Sequence, residues 1–169
     1  MKQPFKYLII HCTATRDGQN VTPDDIIRWH TSPPPQGRGW RRVGYSDMIL
    51  IDGTRRTFVK HDGDKWIDDA EITNGVKGMN AISRHVVYCG GLSKDGSRVK
   101  NTLNDAQSQT LAAIIDEVIR YQPDVLIAGH NQFDNKACPS FWVPHYLESL
   151  WIPEKNIYKK DPFGYGDMF

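Results

Sequence analysis

The sequence is poor in cysteine, in net charge and in long apolar runs, and each shortage removes a class of protein. Cysteine occurs three times, at Cys12, Cys89 and Cys138. So small and odd a number argues against a disulfide framework and for folding in a reducing compartment. Lys and Arg number 21 against 20 Asp and Glu, a formal charge of +1. The basic stripe of a nucleic-acid binder is missing, and no nucleic-acid partner is expected. The first apolar run, within MKQPFKYLIIHC, is broken by Lys6 and His11. It predicts neither an export signal nor a membrane span, hence synthesis in the cytoplasm and no membrane insertion. Glutamate is confined to Glu71, Glu117, Glu148 and Glu154, which counts against the facing carboxylates of a glycosidase. Repeats, low-complexity stretches and linkers are absent, and 169 residues suit one core better than two. Residues 1–151 are expected to form one domain, with 152–169 a tail packed on it or extending from it.

What is present alternates between two periodicities. KYLIIHCT (6–13) is apolar and β-branched and predicts a buried strand. TPDDIIRWH (22–30) predicts a helix with Thr22 as N-cap, Pro23 at the first position and two aspartates at the positive end of the dipole. Asp52-Gly53 between strand-like runs over 45–60 predicts a hairpin. RHVVYCGG (84–91) and DVLIAG (124–129) read as further strands. Leu111, Ile114, Ile115, Val118 and Ile119 share one face of a helix over 104–121, and 140–151 predicts a C-terminal helix. Pro33, Pro34 and Pro35 predict a loop. A hairpin together with strand–helix–strand units predicts an α/β fold, a single domain with a central mixed β-sheet flanked by helices. The tail from Ile152 has no clear period.

The segment GHNQFDNKACPSF (129–141) puts a histidine, a lysine and a cysteine just after a predicted strand. A catalytic zinc site takes three protein ligands from cysteine, histidine or carboxylate and keeps one position open. His130 and Cys138 offer two. His11, which closes the strand YLIIH, is the best third candidate, because strand ends aim side chains from a rigid support. Alternation sends its neighbour Cys12 to the opposite face.

These residues sit in a larger pattern. IIHCTAT (9–15), VGYSDMILIDGT (43–54), KGMN (77–80), YCGGL (88–92) and AGHNQFDNKACPSF (128–141) follow in that order. The chain resembles the zinc-dependent N-acetylmuramoyl-L-alanine amidases of the phage-lysozyme and peptidoglycan-recognition-protein type. The resemblance implies a mixed sheet flanked by helices and a groove, floored by Zn2+, that binds the peptide stem of peptidoglycan. It implies hydrolysis of the amide between N-acetylmuramic acid and L-alanine. It carries over His11, His130 and Cys138 as metal ligands, and Tyr45 and Lys136 as catalytic residues. Lys136 stands two residues before Cys138, so an extended loop would point both the same way, with the ammonium desolvated beside the metal. Tyr45 opens a predicted strand, where a phenol could orient water or shuttle a proton.

Three places depart from the family's common pattern. Ser46 stands where histidine often follows the tyrosine. Gly75 stands where histidine often precedes the glycine of KGMN by three. Ser83-Arg84-His85 replaces a common Ser-Ile-Gly. Arg84 and His85 are expected to be sheet positions with satisfied hydrogen bonds. His30, ending the first helix, is expected to favour the negative end of its dipole. His61 belongs to a polar loop, His145 to an aromatic helix and Cys89 to the core, while Trp40 borders the groove or a solvated loop. Two rivals remain. One is a cysteine-nucleophile amidase in which His130 serves Cys138 at a helix start; the other is a peptidoglycan-binding module without catalysis. The absence of an export signal suggests a monomeric phage-type endolysin that acts on the wall after release or delivery.

Overall fold

The apolar run at Tyr7–Cys12 lies at the heart of the molecule, paired on both sides. The computed structural model describes residues 2–169. In chain order its elements are β1 (Gln3–Pro4), β2 (Tyr7–Cys12), β3 (Thr15–Arg16), α1 (Pro23–Thr31), β4 (Asp47–Ile49), β5 (Arg55–Thr57), β6 (Trp66–Ile67), β7 (Ser83–Tyr88), β8 (Gly91–Leu92), α2 (Asp105–Tyr121), β9 (Leu126–Gly129) and α3 (Val143–Ser149). The central sheet has the order β5-β4-β7-β2-β9. The pairs β4/β7, β7/β2 and β2/β9 are parallel, and β5 closes one edge antiparallel to β4. This is the mixed sheet expected.

Period-two alternation divides β2 and β7 between two cores. Leu8, Ile10, Cys12, Val86 and Tyr88 meet Leu111, Ile114, Ile115 and Val118 of α2 and Val143 and Leu147 of α3. On the other face Met48 and Val87 meet Ile26 of α1. Each such aliphatic side chain contributes about 1.5–3 kcal/mol on leaving water. The helices start where capping chemistry directs. Thr22 and Asp25 form a reciprocal capping box at α1, and Asn104 and Gln107 do the same at α2.

Two expectations are corrected in extent. The hairpin over 45–60 has a ladder of only three pairs, because Leu50–Thr54 is spent on the turn, where Gly53 takes φ +83° and Asp52 accepts the Thr54 N–H. The helix expected over 140–151 begins only at Val143 and stops at Ser149. Ser140 and Trp151, at φ +75° and +57°, occupy the left-handed region that a right-handed helix cannot use.

The tail joins the edge of the sheet. Ile157 bridges Ile127 in parallel, the Tyr158 N–H donates to Ile127 O at 3.0 Å, and Asn156 Nδ2 donates to Pro123 O and Val125 O. Side-chain amides clasping backbone leave no hydrophobic period, so the sequence carries no sign of this packing. Among the described residues no helix is long and apolar enough to cross a membrane.

Candidate active site

Parallel pairing of β2 with β9 sets Ile10 beside Gly129. The next residues, His11, still paired with Val87 in β2, and His130, just past the end of β9, therefore stand side by side at the carboxyl edge of the sheet, where open α/β sheets place their ligands. Their rings lie 4.7 Å apart. The chain then returns through a 3-10 turn at His130–Gln132, and the Asn131 N–H donates to Cys138 O at 2.7 Å. Cys138 Sγ accepts the Cys12 N–H at 3.3 Å and lies 3.7 Å from His11 Nδ1. One donor atom from each of His11, His130 and Cys138 falls within 4.8 Å of the others. Beyond Cys138 the loop is pinned: Ser140 Oγ donates to Gly91 O, and Tyr88 OH to Pro139 O.

The electrostatics suit a cation. Burial first, then the neighbouring imidazoles, hold the His11 pKa well below its ordinary value. Burial, aided by Lys136, brings His130 down to about 4. Both rings are thus neutral near pH 7, as metal ligation requires. Burial pushes the Cys138 thiol well up, which disfavours a thiolate unless a cation neutralises it. A thiol held in its neutral form gives the cysteine-nucleophile rival no support, and neither does the local geometry. The nearest helix, α3, starts five positions later rather than beside Cys138, and the imidazole within hydrogen-bonding reach of Sγ is His11, not His130.

A groove of about 630 Å³ opens over this cluster. Tyr45 and Lys136 both line it, as do Trp40 and Arg38 of the proline-rich loop, so that loop borders the groove. The Tyr45 ring sits 5.2 Å from each of His11 and His30, and burial raises its pKa far above the ordinary phenol value. It lies two residues before β4 rather than inside a strand. Lys136 is not desolvated as expected: its side chain is 59% exposed and its Nζ is 2.7 Å from Asp134 Oδ2. Asp134 is the one carboxylate among the described residues lining the groove, too few for a glycosidase pair.

Several neighbouring residues behave otherwise than the sequence suggested. His30 is buried, and burial followed by Arg38 lowers its pKa to about 4. It is therefore no cation on a helix dipole; its Nδ1 accepts the Gly44 N–H at 3.0 Å and so braces the segment carrying Tyr45. Its place four residues after Ile26 on the buried stripe of α1 was the available signal. Arg84 fits its expectation, bound to Asp47 at 2.7 Å and to Tyr121 OH at 2.9 Å. His85 does not: Nδ1 lies 3.1 Å from His11 Nε2, while Nε2 is buried with no hydrogen-bond partner among the described residues. His61 engages Trp66 O and the Gly63 N–H through its two ring nitrogens, so the nearby His61/Asp62/Asp64 group has no free imidazole. Cys89 is a core residue, its thiol pushed by burial up to about 12.

The family model of N-acetylmuramoyl-L-alanine amidases matches residues 1–141. The chain belongs to the N-acetylmuramoyl-L-alanine amidase family. Among curated relatives, the endolysin of Klebsiella phage KP32 is 31% identical to this amidase over 148 residues, which is 87% of the chain and 88% of the relative. The Ph2119 endolysin from a Thermus scotoductus bacteriophage superposes with a TM-score of 0.64 at 21% identity, covering 86% of this chain and 84% of its own. Bumblebee PGRP-SA gives 0.67 at 18% identity, covering 93% and 86%. These two structures share the amidase fold, a mixed sheet with helices on both faces. The amidase acts on peptidoglycan, hydrolysing an amide rather than a glycosidic bond.

Proposed function

We propose that the chain is a zinc-dependent amidase of the phage endolysin type, cleaving between N-acetylmuramic acid and the L-alanine of the stem peptide. The convergence of His11, His130 and Cys138 beneath one groove carries this reading. Two neutral imidazoles and a thiol that only a cation would ionise make the donor set of a catalytic zinc with a place left for water. When bound, the ion supplies Lewis acidity for the scissile carbonyl and acidifies water to a pKa of about 7. The protein's own groups supply the rest. The Lys136 ammonium, exposed and paired with Asp134, can turn toward the carbonyl oxygen and stabilise its developing negative charge. Tyr45 keeps its proton, so it serves as a donor that orients the attacking water or the departing nitrogen. Arg38, Lys77 and Lys136 outnumber Asp134 along the groove, which suits a stem peptide bearing carboxylates. The kinship with phage endolysins supports an enzyme made in the cytoplasm and acting on the wall after release.

The test is metal content and amine release. Protein purified without added zinc should carry one ion per chain. Chelation should abolish release of free amines from peptidoglycan, and zinc should restore it. Cys138→Ser should lose both ion and activity, whereas Lys136→Met and Tyr45→Phe should keep the ion and lose about 100-fold or more in kcat. Full activity after the ion is stripped would end this reading.

A further inference from the structure

His85 is buried to 0% exposure on β7, two residues before Val87, on the face that carries His11. Its backbone is held three times by Ser46, whose N–H and Oγ each donate to His85 O at 2.8 Å and whose Oγ accepts the His85 N–H at 3.2 Å. Its ring fills space that position 75 leaves open. A Cβ at Gly75 would stand 2.3 Å from His85 Cγ and Nδ1, closer than any Cβ is tolerated. Two of the departures from the family pattern are therefore a single spatial event. A side chain at 75 and the imidazole at 85 compete for one volume, and this chain has given that volume to residue 85.

The hydrogen bond from this ring reaches a proposed ligand. His11 turns Nδ1 toward Cys138 Sγ at 3.7 Å and Nε2 toward His85 Nδ1 at 3.1 Å. A metal among His11, His130 and Cys138 needs the lone pair on His11 Nδ1, so the proton of His11 must reside on Nε2. Only one direction is then open for the bond: His11 Nε2–H donates and His85 Nδ1 accepts. His85 must in turn carry its own proton on Nε2, the atom that is buried without a partner among the described residues. An orphaned buried N–H is a poor choice for a ring that merely fills space, since an apolar side chain would fill it without that penalty. The imidazole is retained for its acceptor.

We propose that His85 is a positioning residue for the metal, holding His11 in the tautomer and orientation that expose Nδ1 to the ion. The inference rests on the zinc reading given above and assigns His85 no contact with substrate. Outer hydrogen bonds of this kind raise the basicity of a ligating imidazole, and their loss weakens metal affinity by about 10–100-fold.

Zinc dissociation constants from chelator competition, measured on the full chain, test it. His85→Phe should bind zinc about 10–100-fold more weakly than the unaltered protein. His85→Gln, whose amide oxygen can accept from His11, should recover most of that loss. Gly75→Ala, which leaves His85 in the sequence but displaces its ring, should behave like His85→Phe. Imidazole nitrogen NMR of the unaltered zinc-loaded protein should show His11 protonated at Nε2 and His85 unprotonated at Nδ1, and this decides the matter if the variants do not fold. A Phe variant with undiminished affinity, a Gln variant as weak as Phe with an equally lowered zinc-free melting point, or a proton on His85 Nδ1 would each overturn the proposal. Unaltered protein that retains no zinc would bring down the zinc reading itself. One tight ion in the unaltered protein with no effect in His85→Phe would bring down only the role of His85.

Discussion

At the residue scale, single imidazoles differ in their work according to burial and to what their second nitrogen meets. His30 is the plainest case. Its folded pKa is about 4, below the unfolded value of about 6.5. At pH 7 both states leave it neutral, and its contribution is fully present. As the pH falls through 6.5 the unfolded chain takes a proton that the folded one refuses, and stability is lost until the pH reaches about 4. With those two values the loss at pH 5 is about 2 kcal/mol. Urea unfolding of the unaltered chain and of His30→Asn at pH 7 and pH 5 checks this. The variant's stability should fall less between the two pH values, by about that amount; equal falls would show that His30 does not titrate on unfolding. Sequence reasoning identified the candidate ligands because cysteine is scarce and the order of the motifs that hold it and the two histidines is specific. It misjudged His30 and His85 because a histidine's role depends on which atoms surround its second nitrogen, and those atoms come from Gly44, Gly75 and His11, distant in the chain.

At the element scale, the two strands that present His11 and His130 differ in support. β2 is paired on both sides, by β7 and β9, whereas β9 is an edge strand of the main sheet. The tail covers that edge and also clasps the loop beyond it. Gln132, 1% exposed, accepts the Gly129 N–H and donates to Tyr158 O at 2.7 Å and Lys160 O at 3.0 Å. The rings of Phe133 and Tyr158 stack at 5.1 Å. We propose that residues 152–169 are part of the same folding unit as the rest of the chain. Truncation after Trp151 would leave the Gln132 and Ile127 groups unpaired, at about 1–3 kcal/mol each. We expect a total loss of at least about 3 kcal/mol and a melting point lower by roughly 6–12 °C. Calorimetry of the truncated chain measures it, and an unchanged melting point would refute the assignment. Helices 22–30 and 104–121 were legible because caps and apolar stripes are local; the tail was not, because what anchors it is backbone accepting from side-chain amides.

At the scale of the whole molecule, charge is balanced and the chemistry is concentrated at one edge of the sheet. A formal charge of +1 leaves little long-range field to attract a polyanion or a wall polymer. Recognition then depends on contacts inside the groove, where charges are partly shielded from salt. Raising sodium chloride from about 50 to about 200 mM should therefore change the rate of wall lysis by less than about threefold. A fall of tenfold or more, followed by turbidity clearing of purified peptidoglycan, would show instead that an electrostatic surface outside the groove governs binding. The catalytic alternative to a binding module also belongs to this scale, since Tyr45, Lys136 and all three candidate ligands come together only when the sheet is complete.

The order of five motifs by itself carried the resemblance to the family and, with ligand chemistry, the three candidate ligands, while caps and alternation determined the α/β class, because those signals are properties of neighbouring residues. Tertiary structure alone decided that His11 faces His85, that His30 braces Gly44, that Lys136 is paired with Asp134, and that the tail seals β9. Those contacts are set by strand register and by how near a backbone such as that of Gly75 can approach. Such distances exist only once the chain has closed upon itself.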